Sequence, residues 1–381
     1  MVNQQRLIDE FIELVTTDSE TGDERVICDL LKEKLTNLGF DVKEDHSSEK
    51  TGHGAGNIVA TLGGTLEDAP KIYFTCHMDT VAPGKGIRPV MKDGYIQSDG
   101  TTILGSDDKA GLAALMEGIR LMKEQKIPHG KIQFIITAGE ESGLIGSRHL
   151  DLSLVDADFG FALDSNGPVG EIITSAPSQV KIIATIYGKA AHAGVNPEDG
   201  ISAIQVASRA ISKMRLGRID SETTANIGSF HGGTASNVVP EKVEIIAEAR
   251  SRNEIKLKAQ VKHMVQAFKE AADELGARAE VETNVLYPSF KFTEEDLVVQ
   301  KAMAAVERVG RKPKLDVSGG GSDANVIAGY NIPTVNLGIG YENIHTTSER
   351  MPVQELIKAA ELVVALVQEC AKVPVPQSIQ S

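Results

Sequence analysis

Apolar residues recur at helical spacing over residues 6–15 and 24–38, then give way to short apolar runs at 57–62 and 71–76. The first pattern predicts amphipathic helices with one buried stripe, the second predicts buried strands. Helical spacing returns over residues 109–123, rich in Ala, Leu and Met, and strand-like runs follow at 131–137 and 159–163. This alternation predicts an α/β sheet with helices packed on its faces.

The pattern changes near Pro177. Strands are expected at 180–187, 225–229, 242–249 and 279–286, and helices at 201–214 and 254–275. Pro177 and Pro288 bracket this stretch. It reads as an inserted α+β domain of four strands and two helices, residues 178–288, interrupting a first domain built from residues 1–177 and 289–381. The first style then resumes, with a helix at 294–309, a glycine-rich turn at 318–323 and a short strand at 334–337. Residues 355–370 form a last helix with Leu356, Ala359, Val363 and Val367 on one stripe. Residues 373–381, rich in proline and polar side chains, predict a disordered tail.

With 381 residues the chain has room for two domains, and 41% hydrophobic content supplies an ordinary core. Its net charge of −14 opposes binding to nucleic acid or to an anionic membrane. The absence of Trp and the 4% aromatic content leave little for base stacking. Cys28, Cys76 and Cys370 show no paired spacing, so neither a disulfide framework nor a cysteine zinc knot is indicated. The first fifteen residues carry Asp9, Glu10 and Glu13, unlike a signal peptide. No run of about 18 apolar residues is present to span a membrane. The expected compartment is the cytoplasm.

The chemistry gathers at the ends of the predicted strands. Glu140 and Glu141 follow the run 131–137, which puts two carboxylates at the carboxyl end of a buried strand. Such a pair suggests divided labour, one Glu holding a metal and the other moving a proton. His77 ends the strand 71–76, with Asp79 two residues on. In an extended chain these share a face, so the Asp79 carboxylate could accept the second ring N–H of His77. Alone, His77 would also fit a hydrogen-bonded structural histidine. Asp107 and Asp108 open the Ala-rich helix between Gly105 and Gly111. Helix capping would explain one acid there, but not two flanked by glycines. Asp164 ends the run 159–163, and His345 follows the strand 334–337. Five such groups in one α/β sheet should converge on one edge. Imidazole and carboxylate without thiolate suit a catalytic site for zinc, cobalt or manganese. The ligands outnumber the needs of one ion, which fits two ions about 3.5–4 Å apart sharing a carboxylate.

In this order, His-x-Asp, Gly-x-Asp-Asp-Lys-Ala-Gly, Glu-Glu, a strand-ending Asp and a late His resemble the dinuclear zinc peptidases related to aminoacylase and to zinc carboxypeptidases. Within them the pattern is most similar to the peptidase T branch of tripeptide aminopeptidases, which use Asp rather than Glu at the position of Asp164. The resemblance spans essentially the whole chain. It implies a mixed-sheet catalytic domain with an inserted lid and dimerisation domain, and two Zn2+ per chain, with Co2+ or Mn2+ as substitutes. It makes Asp107 the bridging ligand, with His77 and Asp164 on the first ion and Glu141 and His345 on the second. Glu140 becomes the general base, Asp79 the partner of His77, and the Asp107–Asp108 peptide is cis. Zinc lowers the pKa of bound water to about 7, and the base takes the proton and passes it to the leaving amine. His192 would reach the active site of a second subunit and hold the substrate carbonyl, while Asn237 and Arg250 would contact substrate polar groups. The turn around Gly320 could be a phosphate nest, but it also resembles a substrate-lining loop. The expected activity is hydrolysis of short peptides, as an aminopeptidase in a homodimer. The alternative is a related zinc amidohydrolase: a carboxypeptidase, dipeptidase or N-acyl amino acid deacylase.

Overall fold

The computed structural model describes residues 1–372; the tail expected to be disordered lies outside them. The chain divides into two compact units. The first comprises Met1–Ser175, Phe292–Ser318 and the chain from Ser322, and the second comprises Ala176–Lys291 with Gly319–Gly321.

At the centre of the first unit four strands run parallel and side by side, in the order Ile132–Thr137, Ile72–His77, Phe159–Ser165 and Thr334–Gly338. Every residue of Ile72–His77 and Ile132–Thr137 is buried. Parallel strands covered on both faces read as continuous apolar runs, which is why the sequence announced them. Ile58–Leu62 and Asp41–Glu44 extend the sheet antiparallel beyond Ile132–Thr137. On the other side Glu171–Ala176 pairs antiparallel with Thr334–Gly338, and Lys314–Val317 runs parallel to it.

The helix Ser106–Glu124 has sixteen of its nineteen residues buried, so it is a core element rather than a surface one. It lies against the sheet and between the helices Gln4–Thr16 and Val353–Ala371. Two glycines permit that closeness. A Cβ at Gly111 would stand 2.7 Å from Cys76 Sγ and from the Leu163 carbonyl, and one at Gly118 would stand 2.7 Å from Val363. The helix is thereby pressed onto the sheet with its first turn at the carboxyl ends of the parallel strands. The expected stripe Leu356, Ala359, Val363 and Val367 is buried. Among the described residues no helix is long and apolar enough to cross a membrane.

The second unit holds an antiparallel sheet of five strands: Gly217–Arg218, Thr223–Gly232, Lys242–Ser251, Ser178–Tyr187 and Arg278–Tyr287, in that order. Burial alternates residue by residue along Ser178–Tyr187, so one face of the sheet packs a core. The helices Ala203–Ser212 and Glu254–Glu274 cover that face through Val206, Ala210, Met264 and Phe268. The strand beyond the four expected, Gly217–Arg218, is two residues long, too short to show a period.

Candidate metal centre

The parallel strands deliver their functional residues to one edge. His77 is the last residue of Ile72–His77, and Asp164 is the penultimate residue of Phe159–Ser165. The turn that carries Glu140 and Glu141 follows Thr137. It depends on Gly139, which has a φ of +66° and where a Cβ would stand 2.7 Å from His53 and Ile145. Asp107 stands at the start of Ser106–Glu124 with an extended backbone, and its peptide bond to Asp108 is cis. His345 lies in the loop after Thr334–Gly338.

Asp107 faces two histidines through its two oxygens. Oδ1 is 2.9 Å from His77 Nε2, and Oδ2 is 3.2 Å from His345 Nε2. His77 Nε2 is 3.9 Å from Asp164 Oδ1, and His345 Nε2 is 2.9 Å from Glu141 Oε1. Three groups of ligand atoms lie within 4.8 Å of one another: His77, Asp107 and Asp164; Asp107, Glu141 and His345; and His77, Glu140 and Glu141. His77 and Asp107 are buried and His345 is exposed, so the centre opens toward solvent on the His345 side.

Asp79 does more than the spacing indicates. The Nδ1 of His77 is 2.9 Å from the backbone carbonyl of Asp79 and 3.6 Å from its carboxylate. That carboxylate is turned to other donors: Glu140 N–H at 3.0 Å, Glu141 N–H at 3.2 Å and the Thr21 hydroxyl at 2.7 Å. Residue 79 therefore bonds the ring of His77 with its main chain, and its side chain supports the Glu140–Glu141 turn while its charge faces that ring. The spacing argument found the residue and its nearness to His77; it could not show the main-chain bond or the turn amides sixty residues away that the carboxylate also serves.

Several residues around the centre gave no sequence signal. The Tyr341 hydroxyl donates to Asp164 Oδ1 at 2.9 Å. Asn57 accepts from the Ala138 N–H at 3.2 Å and is itself held by buried Asp45, at 2.8 Å. The Thr137 hydroxyl donates to buried Asp323. Glu349 gathers donors from residues 104–107. Each reads in the sequence as an ordinary polar residue.

The charge balance is that of a cation site. Burial raises the carboxyls of Asp164 and Glu140 well above the ordinary range; Asp107 raises Asp164 further, and Asp164, Asp323 and Glu141 raise Glu140 further against the pull of His77. Burial would lower His77, but its bonds to Asp107 and Asp79 outweigh that and raise it well above its usual value. Bonds to Asp107 and Glu141 raise His345 to about 10. Crowded carboxylates thus hold protons and imidazolium ions close. A donor set of carboxylate oxygen and imidazole nitrogen, without thiolate, fits divalent cations of the zinc, cobalt or manganese type.

The remaining expected site residues lie in the second unit. His192 is exposed, and its Nδ1 accepts from the N–H groups of Gly194 and Val195, both at 3.1 Å. The exposed Asn237 is next to it, since the Ala193 N–H donates to the Asn237 carbonyl at 2.9 Å. Arg250 is half-buried and paired with Glu248, with Nε at 2.9 Å and Nη2 at 3.1 Å; Nη1 points at the Tyr287 hydroxyl, 3.4 Å away. Gly320 lies in the 319–321 turn that groups with this unit.

Comparison with known proteins agrees with this architecture. The model of "Peptidase family M20/M25/M40" matches residues 73–369. A solved structure of the aminopeptidase PepT from Bacillus cereus ATCC 10987 is 60% identical, with a TM-score of 0.92 over 97% of this chain and 100% of that one. A tripeptidase structure from Staphylococcus aureus subsp. aureus Mu50 is 51% identical, with a TM-score of 0.94 over 97% and 99% of the two chains. The protein YqjE of Bacillus subtilis strain 168 is 60% identical over 98% of this chain and 100% of its own length.

Proposed function

The chain belongs to peptidase family M20/M25/M40 and is a peptide-bond hydrolase of that family, and on that premise we propose that it removes the N-terminal residue from short peptides, tripeptides above all, at a centre of two divalent cations. The observation that carries this reading is Asp107, with one oxygen toward His77 and the other toward His345. The names of two solved relatives, an aminopeptidase and a tripeptidase, support the substrate class.

In this reading His77, Asp107 and Asp164 hold the first ion, and Asp107, Glu141 and His345 hold the second, zinc in both cases. When bound, such ions acidify a coordinated water and polarise the scissile carbonyl. The chain's own residues do the rest. Glu140, fixed through its N–H by Asp79, takes a proton from the attacking water and returns it to the leaving amine. His77 is held in one orientation by the Asp79 carbonyl. Two backbone N–H groups aim at Nδ1 of His192, which makes that nitrogen the acceptor and places the proton on Nε2. His192 is therefore a fixed donor suited to the substrate carbonyl as it becomes an oxyanion. Asn237, Arg250 and Gly320 line the substrate path in this reading.

The enzyme works as a homodimer joined through the unit that carries residues 178–288, and His192 serves the neighbour's centre. Arg278–Tyr287 closes one side of that unit's sheet, an edge that a second copy can pair with. A cytoplasmic location accords with Cys28, Cys76 and Cys370 standing as buried free thiols.

The test is a substrate panel on metal-reconstituted enzyme: free tripeptides, dipeptides, N-acetylated and C-amidated tripeptides, and N-acyl amino acids. Free tripeptides should give the highest kcat/KM, and blocking the amine should abolish turnover. Faster hydrolysis of N-acyl amino acids or of amine-blocked peptides would transfer the chain to the deacylase or carboxypeptidase reading.

A further inference from the structure

Glu349 is 1% exposed and is not among the expected ligands. Its Oε2 accepts from the N–H groups of Leu104 at 2.8 Å and Gly105 at 2.9 Å. Its Oε1 accepts from the Ser106 hydroxyl at 2.6 Å and the Asp107 N–H at 3.2 Å. Four consecutive residues thus donate to one carboxylate, ending on the residue that faces both histidines. The main chain of Glu349 is fixed as well: its N–H donates to the Thr346 carbonyl at 3.1 Å, and its carbonyl accepts from Ser98 at 3.2 Å. Thr346 follows His345 directly. One buried side chain therefore ties the loop that carries His345 to the helix start that carries Asp107.

The two ion positions differ in what supports them. His77 and Asp164 belong to adjacent strands at the middle of the sheet. His345 sits in an exposed loop at a φ of +61°, and Glu141 in a turn. Neither Asp107 nor His345 lies on a strand of the large sheet; the bridge between Glu342 and Arg350 closes the His345 loop but does not reach Asp107, so that sheet leaves the 3.2 Å register between Asp107 Oδ2 and His345 Nε2 unset. We propose that Glu349 is the positioning residue that sets this register, so that the second ion's affinity depends on it far more than the first ion's does. This rests on the two-ion reading above. An ordinary helix cap comes from the residue just before the helix and serves one or two amides. Glu349 comes from 242 residues away and serves four donors.

The test titrates metal-stripped full-length protein with Co2+ alone, reading stoichiometry and stepwise affinity by calorimetry and by the cobalt absorption of each step. Glu349→Gln puts an NH2 group where one oxygen accepted two bonds, while preserving size. Wild type should take two ions. The variant should keep the first within about threefold and lose about 10- to 100-fold on the second, the range for removing a residue that orients a ligand. Ser106→Ala removes one donor and leaves Glu349 intact; it should weaken the second ion about threefold or more. Unchanged affinities in folded Glu349→Gln, or equal weakening of both ions, overturns the proposal. Should Glu349→Gln not fold, Ser106→Ala decides: an unaltered second step overturns it. A wild-type protein that takes one ion removes the two-ion reading, and this inference with it.

Discussion

Replacing Asp79 separates the support of the Glu140–Glu141 turn from the rest of the fold. The side chain is fully buried and serves three donors: Oδ1 takes the Glu140 N–H at 3.0 Å, and Oδ2 takes the Glu141 N–H at 3.2 Å and the Thr21 hydroxyl at 2.7 Å. In Asp79→Ala both N–H groups lose their acceptor, whereas Thr21 can turn to the Thr80 carbonyl, 3.3 Å away. An orphaned donor costs about 1–3 kcal/mol, and since Glu140 and Glu141 are only half-buried the lower part of that range applies, about 2–4 kcal/mol for the two. Asp79→Asn is milder. Its NH2 group can point at Thr21, whose oxygen accepts, so only the Glu141 N–H is orphaned, at about 1–2 kcal/mol. Urea unfolding of metal-stripped protein should rank wild type, Asn and Ala in falling stability. Turnover should fall in the same order, by about 10²-fold for Ala, because a catalytic group displaced by about 1 Å loses that much. If Asp79→Ala unfolds within about 0.5 kcal/mol of wild type, the span of a neutral surface change, or if Asn is the worse of the two, the account of this carboxylate is refuted.

Chelation should abolish activity and added zinc or cobalt restore it; full activity after verified metal removal ends the two-ion reading. Glu140→Gln keeps the shape of the side chain but cannot accept a proton, so turnover should fall at least about 10²-fold with both ions retained, whereas loss of an ion would make Glu140 a ligand. Mixing the inactive variants His192→Ala and Glu140→Gln under subunit exchange should revive up to about one site in four; verified exchange without revival keeps His192 within its own chain. Burial pushes Glu44 up, but Arg25 at 2.7 Å, Lys32 at 2.8 Å and the Gly56 N–H bring its pKa down to about 2. A depressed carboxyl contributes stability above its unfolded pKa, about 4.3, and loses it as pH falls toward the folded value, so the gap between wild type and Glu44→Gln should narrow from pH 5 to pH 3; a gap that stays constant contradicts the pairing.

The core strands and the His and acidic residues gathered at their carboxyl ends were legible because both obey local rules. Ile72–His77 and Ile132–Thr137 are buried on both faces, so their apolar runs are unbroken and the polar residues that end them stand out. Asp41–Glu44, a polar edge strand with no buried residue, offers no such contrast. Nor do Val90–Lys92, Tyr95–Gln97 and Arg350–Pro352, three-residue strands of a separate small sheet. The supporting residues were illegible for a different reason. Glu349 and the Asp79 carboxylate act on backbone N–H groups of distant loops, and a backbone donor leaves no mark on the residue type that serves it. The partition of Gly319–Gly321 is likewise tertiary: a Cβ at Gly321 would stand 2.3 Å from the Tyr287 ring, so this turn lies against the second unit although its neighbours on both sides belong to the first.

The ligands of the proposed second ion also fix when, in the life of a polypeptide, that site can exist. His345 and Glu141 are 204 residues apart, and all of Ala176–Lys291 is synthesised between them. A growing chain displays His77, Asp107, Glu141 and Asp164 early, but the final ligand arrives only after the second unit has been made and the strand Thr334–Gly338 has been added beside Phe159–Ser165. Closing so long a loop is worthwhile only once the packed sheet repays its entropy. In that reading a cation at the second position cannot rescue a product truncated before His345. Full metal loading, in the two-ion reading, would then report that translation has passed His345 and that Thr334–Gly338 has joined the sheet.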